Sequence, residues 1–514
     1  MPENLGSYKV FSEGGLNTNR DILSQQERQP GSAIKLTNYE PSVTGGYRKV
    51  SGFLNDFGTV PGTGSVLGVA VVNGINDGIL AARAPSSGTN YLHRWVNSSS
   101  SWTAVTSAGS PTMSGVTKVR FTPYEIAGSA KVILTDGVNP AAIYDGSSYV
   151  QITHAQAPDD PKFATAFQNH MWLAGDPNEA NNLYFSEPSK ETDYDPALGA
   201  GFFNVGFPIV AIKPFRDNLF IFGTNNIKKI TGNNKGNFTL ETVTNNLGCM
   251  ASDSVIEIGG DLLFLSQDGL RPVSGTDRIG DVNLETVSKN IQSIFTDVIF
   301  DIDLEGLSAA VIRTKTQFRY YFAGADTQGI IGGFRESPTG GMQFEYSQML
   351  GIAATCAASG YIGQNEFVIH GASDGKVHRQ ERGTSFGGED IFSVYQTPYY
   401  YMQDPEQRKI FYTIATYMRS EGDNEIAMSA VYDYEDVNSL NPTDFSIDNE
   451  AAAAYYNEAT FDAGAIYDGS PSPVRRTNIS GSGKAISLRY VTNDTKASHA
   501  IQGIVITYGV GDRL

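Results

Sequence analysis

The chain reads as all-β: a β-propeller of about seven blades, six to eight fitting the pattern, plus a C-terminal β-sandwich. Three observations predict this. Apolar runs alternate with tight polar turns as repeated hairpins through the middle of the chain. The last hundred or so residues instead alternate apolar and polar positions strictly. Long helical periodicity is nearly absent.

Composition supports each point. At 514 residues the chain is long for one core, and its hydrophobic fraction of 40% permits a large buried volume. Charged residues make up 18%, below the roughly 25% of ordinary globular domains. Their place is taken by 55 Gly, 26 Tyr, 27 Phe and many Ser, Thr and Asn. Turn formers mixed with aromatic and β-branched residues suit a sheet protein dense in turns.

In chain order, residues 1–55 are polar and Gly-rich, with short extended stretches such as 32–36, and read as an N-terminal arm with little core of its own. From 56 to 396 one unit recurs. Run 78–83 passes through turn 85–90 to run 91–95, and run 132–135 through turn 136–140 to 142–146. The same arrangement spans 171–186, 219–230, 262–273, 318–334 and 367–378. The Gly, Asn and Asp residues in each turn supply the positive φ angles that short hairpin loops demand. The seven units start about 40 to 57 residues apart, an interval that holds a four-stranded blade. A series of unrelated hairpins in sandwich domains is the alternative.

One helix is expected near 283–300, inserted between blades, because Val287, Ile291, Ile294 and Val298 recur at helical spacing. From 397 to 514 the segments 411–417, 425–432, 485–491 and 500–508 place apolar residues at every second position, as strands buried on one face do. Polar stretches at 439–448 and 468–483 separate them. This region is the expected sandwich.

The net charge of −18 argues against gripping a phosphate backbone, which needs clustered Lys and Arg. It is compatible with a wall along which DNA slides without adhering, since like charges repel. Cys249 and Cys356 are expected as buried thiols without a disulfide. No segment has the pattern of a signal peptide, and no run approaches the ~18 apolar residues of a membrane span, so the expected compartment is cytoplasm-like. His93, His154, His170, His370, His378 and His499 show no metal-ligand spacing, and no metal or cofactor is expected. Nucleophile elbows, P-loops and dinucleotide fingerprints are absent. Asp301, Asp303 and Glu305 lack the central glycine of a calcium loop. Asp159, Asp160, Asp176 and Glu179 read as turn residues. No catalytic residue is assigned.

Several segments resemble one family. Gly14 to Asn17, the stretch 36–53, the hairpin 167–188, the turn 268–271 and the closing strand 503–509 with Arg513 are similar to the tail nozzle proteins of short-tailed bacteriophages, also called tail hub or packaged-DNA stabilisation proteins. The resemblance covers most of the chain through short motifs of common residues. It implies a non-enzymatic structural virion protein, assembled in the host cytoplasm. Copies would form a ring, usually a homohexamer, below the adaptor protein, with tail fibres or spikes as further partners. The ring would close the channel for double-stranded DNA and open for ejection. Two other functions compete: a receptor- or glycan-binding virion module, and a glycan-cleaving propeller enzyme. Trp95, Trp102 and Trp172 are the candidates for stacking on sugar, with core positions as their alternative.

Overall fold

In the computed structural model, the described residues are 5–19, 21–88, 90–107, 114–126, 128–273, 286–301, 304–322, 328–336, 342–435, 445–449 and 473–510. Seven blades of antiparallel strands account for most of 53–380. Blade 1 comprises Thr63–Val71, Ile79–Ala84, Leu92–Val96 and Ser101–Ala104. Blade 2 comprises Arg120–Ile126, Ser129–Thr135, Ala142–Tyr144 and Ser148–Gln151, with Thr106–Ser107 added in parallel at its edge. Blade 3 runs through Phe163–Phe167, His170–Ala174, Asn182–Phe185 and Gly201–Asn204. Blade 4 runs through Ala211–Phe215, Asn218–Phe222, Ile227–Thr231 and Thr239–Thr244. Blade 5 has three described strands, Ile256–Ile258, Asp261–Ser266 and Gly269–Pro272. Blade 6 contains Ser308–Ile312, Gln317–Tyr321, Gln328–Glu336 and Met342–Leu350. Blade 7 contains Cys356–Ile362, Asn365–Gly371 and Val377–Gln380, and its fourth strand is Phe53–Leu54 from the start of the chain. Each of the seven hairpins read from the sequence is the second and third strand of one blade.

The hairpin runs are continuously apolar because a blade is buried on both faces. Successive side chains of a strand point to opposite sides. Val132 and Leu134 therefore enter the core shared with blade 1, while Ile133 enters the core shared with blade 3. Likewise Leu219 and Ile221 face blade 3, and Phe220 and Phe222 face blade 5. Such cores recur between every neighbouring pair of blades, and Val66, Ile79, Cys356 and Ile369 close the circle between blades 7 and 1. The ring is a seven-bladed propeller, latched by pairing Phe53 with Gln380 and Leu54 with Arg379.

The sandwich has two sheets. One contains Tyr39–Pro41, Tyr47–Lys49, His499–Val510, Lys409–Ser420 and Val474–Gly483, with Leu5–Phe11 paired to His499–Val510. The other contains Lys35–Thr37, Ile391–Gln396, Ile486–Asp494, Asn424–Tyr432 and Phe445–Asn449. This second sheet does not end at the sandwich. Thr37 pairs with Gln348 of blade 6, so blade 6 and the sandwich share one nine-stranded sheet.

Residues 1–55 are thus interleaved with the rest and do not form a separate arm. Leu16, Ala33, Leu36, Tyr39 and Tyr47 are almost completely buried in the common core. The segment reads as coreless because its apolar residues are spaced singly, each completing a core built by distant strands. Ile391–Gln396, read with the propeller, lies in the sandwich sheet, paired with Lys35–Thr37 and Ile486–Asp494. The helix is also shorter than its periodicity suggests, Gln292–Asp301 after the short turn Lys289–Ile291. Upstream, the Val287 amide donates to the Leu270 carbonyl (3.0 Å) and the Ser288 hydroxyl accepts from the Leu270 amide (2.9 Å). Those bonds hold 287–288 on the edge of blade 5. Residues 283–285, 302–303, 323–327, 436–444, 450–472 and 511–514, which include parts of the predicted helix, acidic cluster, turns and separators together with Arg513, lie outside the described residues.

A buried ionic knot ties the parts together. Glu40 Oε1 meets Arg48 at 3.0 Å and Lys315 at 2.6 Å, and its Oε2 meets Arg319 at 3.3 Å. Glu381 pairs with both Lys315 and Arg319. Burial alone would raise the Glu381 pKa, but Arg319 and Lys315 hold it below the usual carboxylate range. The N-terminal segment, blade 6 and the exit from blade 7 thus share one charge cluster.

Candidate functional site

The first strand of every blade lines a central bore. Gly68–Val71 of blade 1, Lys118 to Pro123 of blade 2 and Phe163 to Thr165 of blade 3 form one side. Ala211 to Lys213, Val255 to Glu257, Ser308, Ala309, Val311 and Arg313, and Cys356 to Ser359 complete the wall around a cavity of about 390 Å³. Inner strands converge because each blade twists and only its first strand reaches the axis.

Where these strands begin, a clamp crosses the bore. Asp253, on the turn Ser252–Ser254 before blade 5, accepts two hydrogen bonds from the Arg120 guanidinium, at 2.9 and 2.8 Å. Its Oδ2 also lies 2.7 Å from Lys118 Nζ. Lys118 donates onward to the Leu307 carbonyl at 2.6 Å, just before blade 6. Arg120 stacks over the Phe163 ring at 5.3 Å, and Lys162 pairs with Glu305. Blades 2, 3, 5 and 6 are joined by these contacts. Burial would raise the Asp253 pKa, yet Arg120 and Lys118 prevail and hold it at about 2. A carboxylate so neutralised is a poor general base at neutral pH.

Further along the bore stand Lys213, Glu257 and Arg313, on blades 4, 5 and 6. Desolvation lowers the Lys213 pKa, Arg313 adding to the effect and Glu257 opposing it. The bore-lining Cys356 thiol is pushed up to about 11 by burial, which makes it a weak nucleophile. Cys249 is likewise a free, buried thiol. No cluster of three or more metal-ligating side chains exists among the described residues.

The residues singled out from the sequence lie elsewhere. Trp172 is wholly buried between blades 3 and 4, its indole donating to the Phe167 carbonyl at 3.0 Å. Trp95 and Trp102 meet edge to face at 5.5 Å beside Phe57, and the Trp102 indole donates to the Phe57 carbonyl at 2.7 Å. All three serve packing. Asp176 caps the loop before blade 3, accepting from the Asp159 and Asp160 amides at 3.0 and 3.2 Å. His370 and His378 stack at 5.0 Å against Phe53, while His499 bonds the Tyr39 hydroxyl at 2.8 Å. Lys118, Arg120, Lys213, Asp253 and Ser308 escaped notice in the sequence. The available signal was a cation interrupting an apolar run, as Lys213 interrupts 209–215.

No known protein family matches the chain, and no curated protein matches it either. Among solved structures, an ancestral GH74 enzyme is 10% identical, covering 74% of this chain and 53% of its own, with a TM-score of 0.38. The extracellular domain of a one-component system from B. thetaiotaomicron is 10% identical over 66% of this chain, which spans only 40% of that structure's length, with a TM-score of 0.36. An exo-beta-1,3-galactanase from Phanerochaete chrysosporium is 10% identical over 79% of this chain and 98% of its own, with a TM-score of 0.24.

Proposed function

We propose that the protein is a non-enzymatic structural component of a virus particle, a subunit of a tail nozzle ring that closes and then releases the DNA channel. The observation that carries this reading is mechanical: the nine-stranded sheet makes propeller and sandwich one stiff body. Closure of the blades leaves few sheet edges to slip under load. The bore itself is no DNA duct. A cavity of about 390 Å³ spanned by the Asp253 clamp cannot admit a duplex, whose major groove alone is about 12 Å wide. The channel must therefore lie between copies, with the outer faces of the subunits as its wall. A face suited to assembly exists on the sandwich. Leu5 and Ile410 flank Gly509, and Phe11 and Tyr417 flank Gly503, on one side of the sheet. Their exposures reach 70% at Phe11 and 59% at Leu5, and the two apolar pairs have Ser7, Lys9 and Thr507 between them on the same face.

A second reading is a receptor- or glycan-binding virion module. Negative-stain microscopy of the purified protein, alone and mixed with particles lacking it, separates the two. A sixfold ring docking at the tail vertex is expected. A persistent monomer that ignores the particles but binds in a glycan screen would overturn the nozzle reading in favour of the second.

A further inference from the structure

The strand that closes the propeller rests on two imidazoles. Phe53–Leu54 pairs with Arg379 and Gln380 as the fourth strand of blade 7. The Phe53 ring meets His370 edge to face at 4.9 Å and lies tilted against His378 at 4.8 Å. His370 and His378 are register partners on neighbouring strands, with their rings stacked at 5.0 Å. His370 is 1% exposed, and its Nδ1 accepts a hydrogen bond from the Gln380 amide at 3.0 Å. The far end of the same amide fixes the direction of that bond. The Gln380 carbonyl oxygen accepts from Arg319 Nη1 at 2.9 Å and from the Tyr321 hydroxyl at 2.7 Å. Guanidinium only donates, so a flipped amide would set donor against donor. Arg319 is itself held by Glu40 and Glu381 in the ionic knot. His370 Nδ1 must therefore carry no proton, and the closed latch requires a neutral ring.

We propose that His370 is the proton sensor of the latch: a proton taken up at its Nδ1 faces the Gln380 donor, and strand Phe53–Leu54 leaves blade 7 so that the ring opens where it was closed. The surroundings offer the imidazolium no acceptor. His378 is the nearest ring, and its own buried Nδ1 has no hydrogen-bond partner among the described residues. The charges acting on the pair are Arg319 on blade 6 and, in the turn of blade 7, Lys376 and Asp374. Lys376 already binds Asp374 at 2.6 Å, and the latch strand brings no charge. Burial, the His378 ring and Arg319 accordingly hold the His370 pKa at about 3, and burial lowers that of His378. Displacing Phe53 uncovers both rings to water, and little holds it. Its amide donates to the Ser385 carbonyl and its carbonyl accepts from the Gly387 amide, both at 3.0 Å. The folded value lies below the unfolded one of about 6.5, so the latch is fully stable above that pH. Below it, the open form binds a proton that the closed form refuses, and opening grows about tenfold per pH unit. The switch belongs to the fold and does not rest on the nozzle reading.

The test is hydrogen–deuterium exchange of the whole protein between about pH 7.5 and about pH 5, corrected for the intrinsic pH dependence of amide exchange. Peptides covering Phe53 and Gln380 should open about thirtyfold more at the acid end, while those covering Trp172 in blade 3 should not change. His370→Asn sets an amide oxygen where Nδ1 stood; it still accepts from Gln380 but takes no proton, so the rise should vanish. His378→Asn should retain the rise, which places the sensor at His370. If His370→Asn fails to fold, Gln380→Glu decides. One carboxylate oxygen keeps Arg319 and Tyr321 while the other accepts the Nδ1 proton, so the rise should move below the range. Latch exchange that stays flat in the parent protein, or that rises as steeply in His370→Asn or Gln380→Glu, would overturn the proposal.

Discussion

Replacing Asp253 by Asn removes the charge that joins blades 2 and 5 across the bore while preserving the size of the side chain. The magnitude follows from the carboxyl's displacement from its ordinary value of 3.8 to about 2. At about 1.36 kcal/mol per unit this is worth about 2 kcal/mol, and the side chain is only 24% exposed, so solvent screening removes little of it. The folded pKa is depressed, so the stabilisation is complete above the unfolded value near 4 and fades as pH falls toward 2. Asp253→Asn should therefore lower stability at pH 7 by about 2 kcal/mol, and the gap from the parent protein should close between pH 4 and pH 2. Urea unfolding followed by tryptophan fluorescence across that range measures the gap, and other carboxylates cancel because both proteins carry them. A gap that is absent at pH 7, or equally large near pH 2, would refute the clamp as an electrostatic brace.

Arg319→Met should destabilise the protein by about 3–5 kcal/mol in the same assay, because Glu40 and Glu381 would lose their shared guanidinium while remaining buried. In Gly52→Ala the new methyl would stand 2.0 Å from the Ser385 carbonyl oxygen; the latch strand Phe53–Leu54 should be displaced, and limited proteolysis should cut near blade 7 faster. Trp172→Ala should cost about 3–5 kcal/mol in thermal or urea unfolding without altering any sugar binding, since the ring fills a core. Deleting residues 1–52 should abolish folding of the sandwich and loosen the propeller, read as loss of cooperative unfolding by circular dichroism. The reading of 1–55 as an arm predicts an intact propeller instead.

Much of the propeller was legible locally. A strand buried on both faces must be apolar throughout, and a two- to five-residue hairpin turn must contain Gly, Asn or Asp. The runs around Ile133, Phe220 and Phe264 thus identify themselves without reference to any neighbour. The alternation around Ile414 and Ile504 does the same for strands with one buried face. The bore was not legible, because its residues come from seven strands whose only relation is a shared axis. Arg120 and Asp253 lie 133 positions apart and neither carries a local sign of the other.

The sequence by itself therefore determined the class of fold and a count of about seven hairpin units, since these follow from periodicity and turn chemistry within short windows. Only the tertiary structure decided that Phe53 latches blade 7, that Thr37 joins the sandwich to blade 6, and that Glu40 meets Arg319. Each joins segments far apart in the chain, where the energy of a contact depends on which surfaces closure brings together and leaves no pattern in either segment alone.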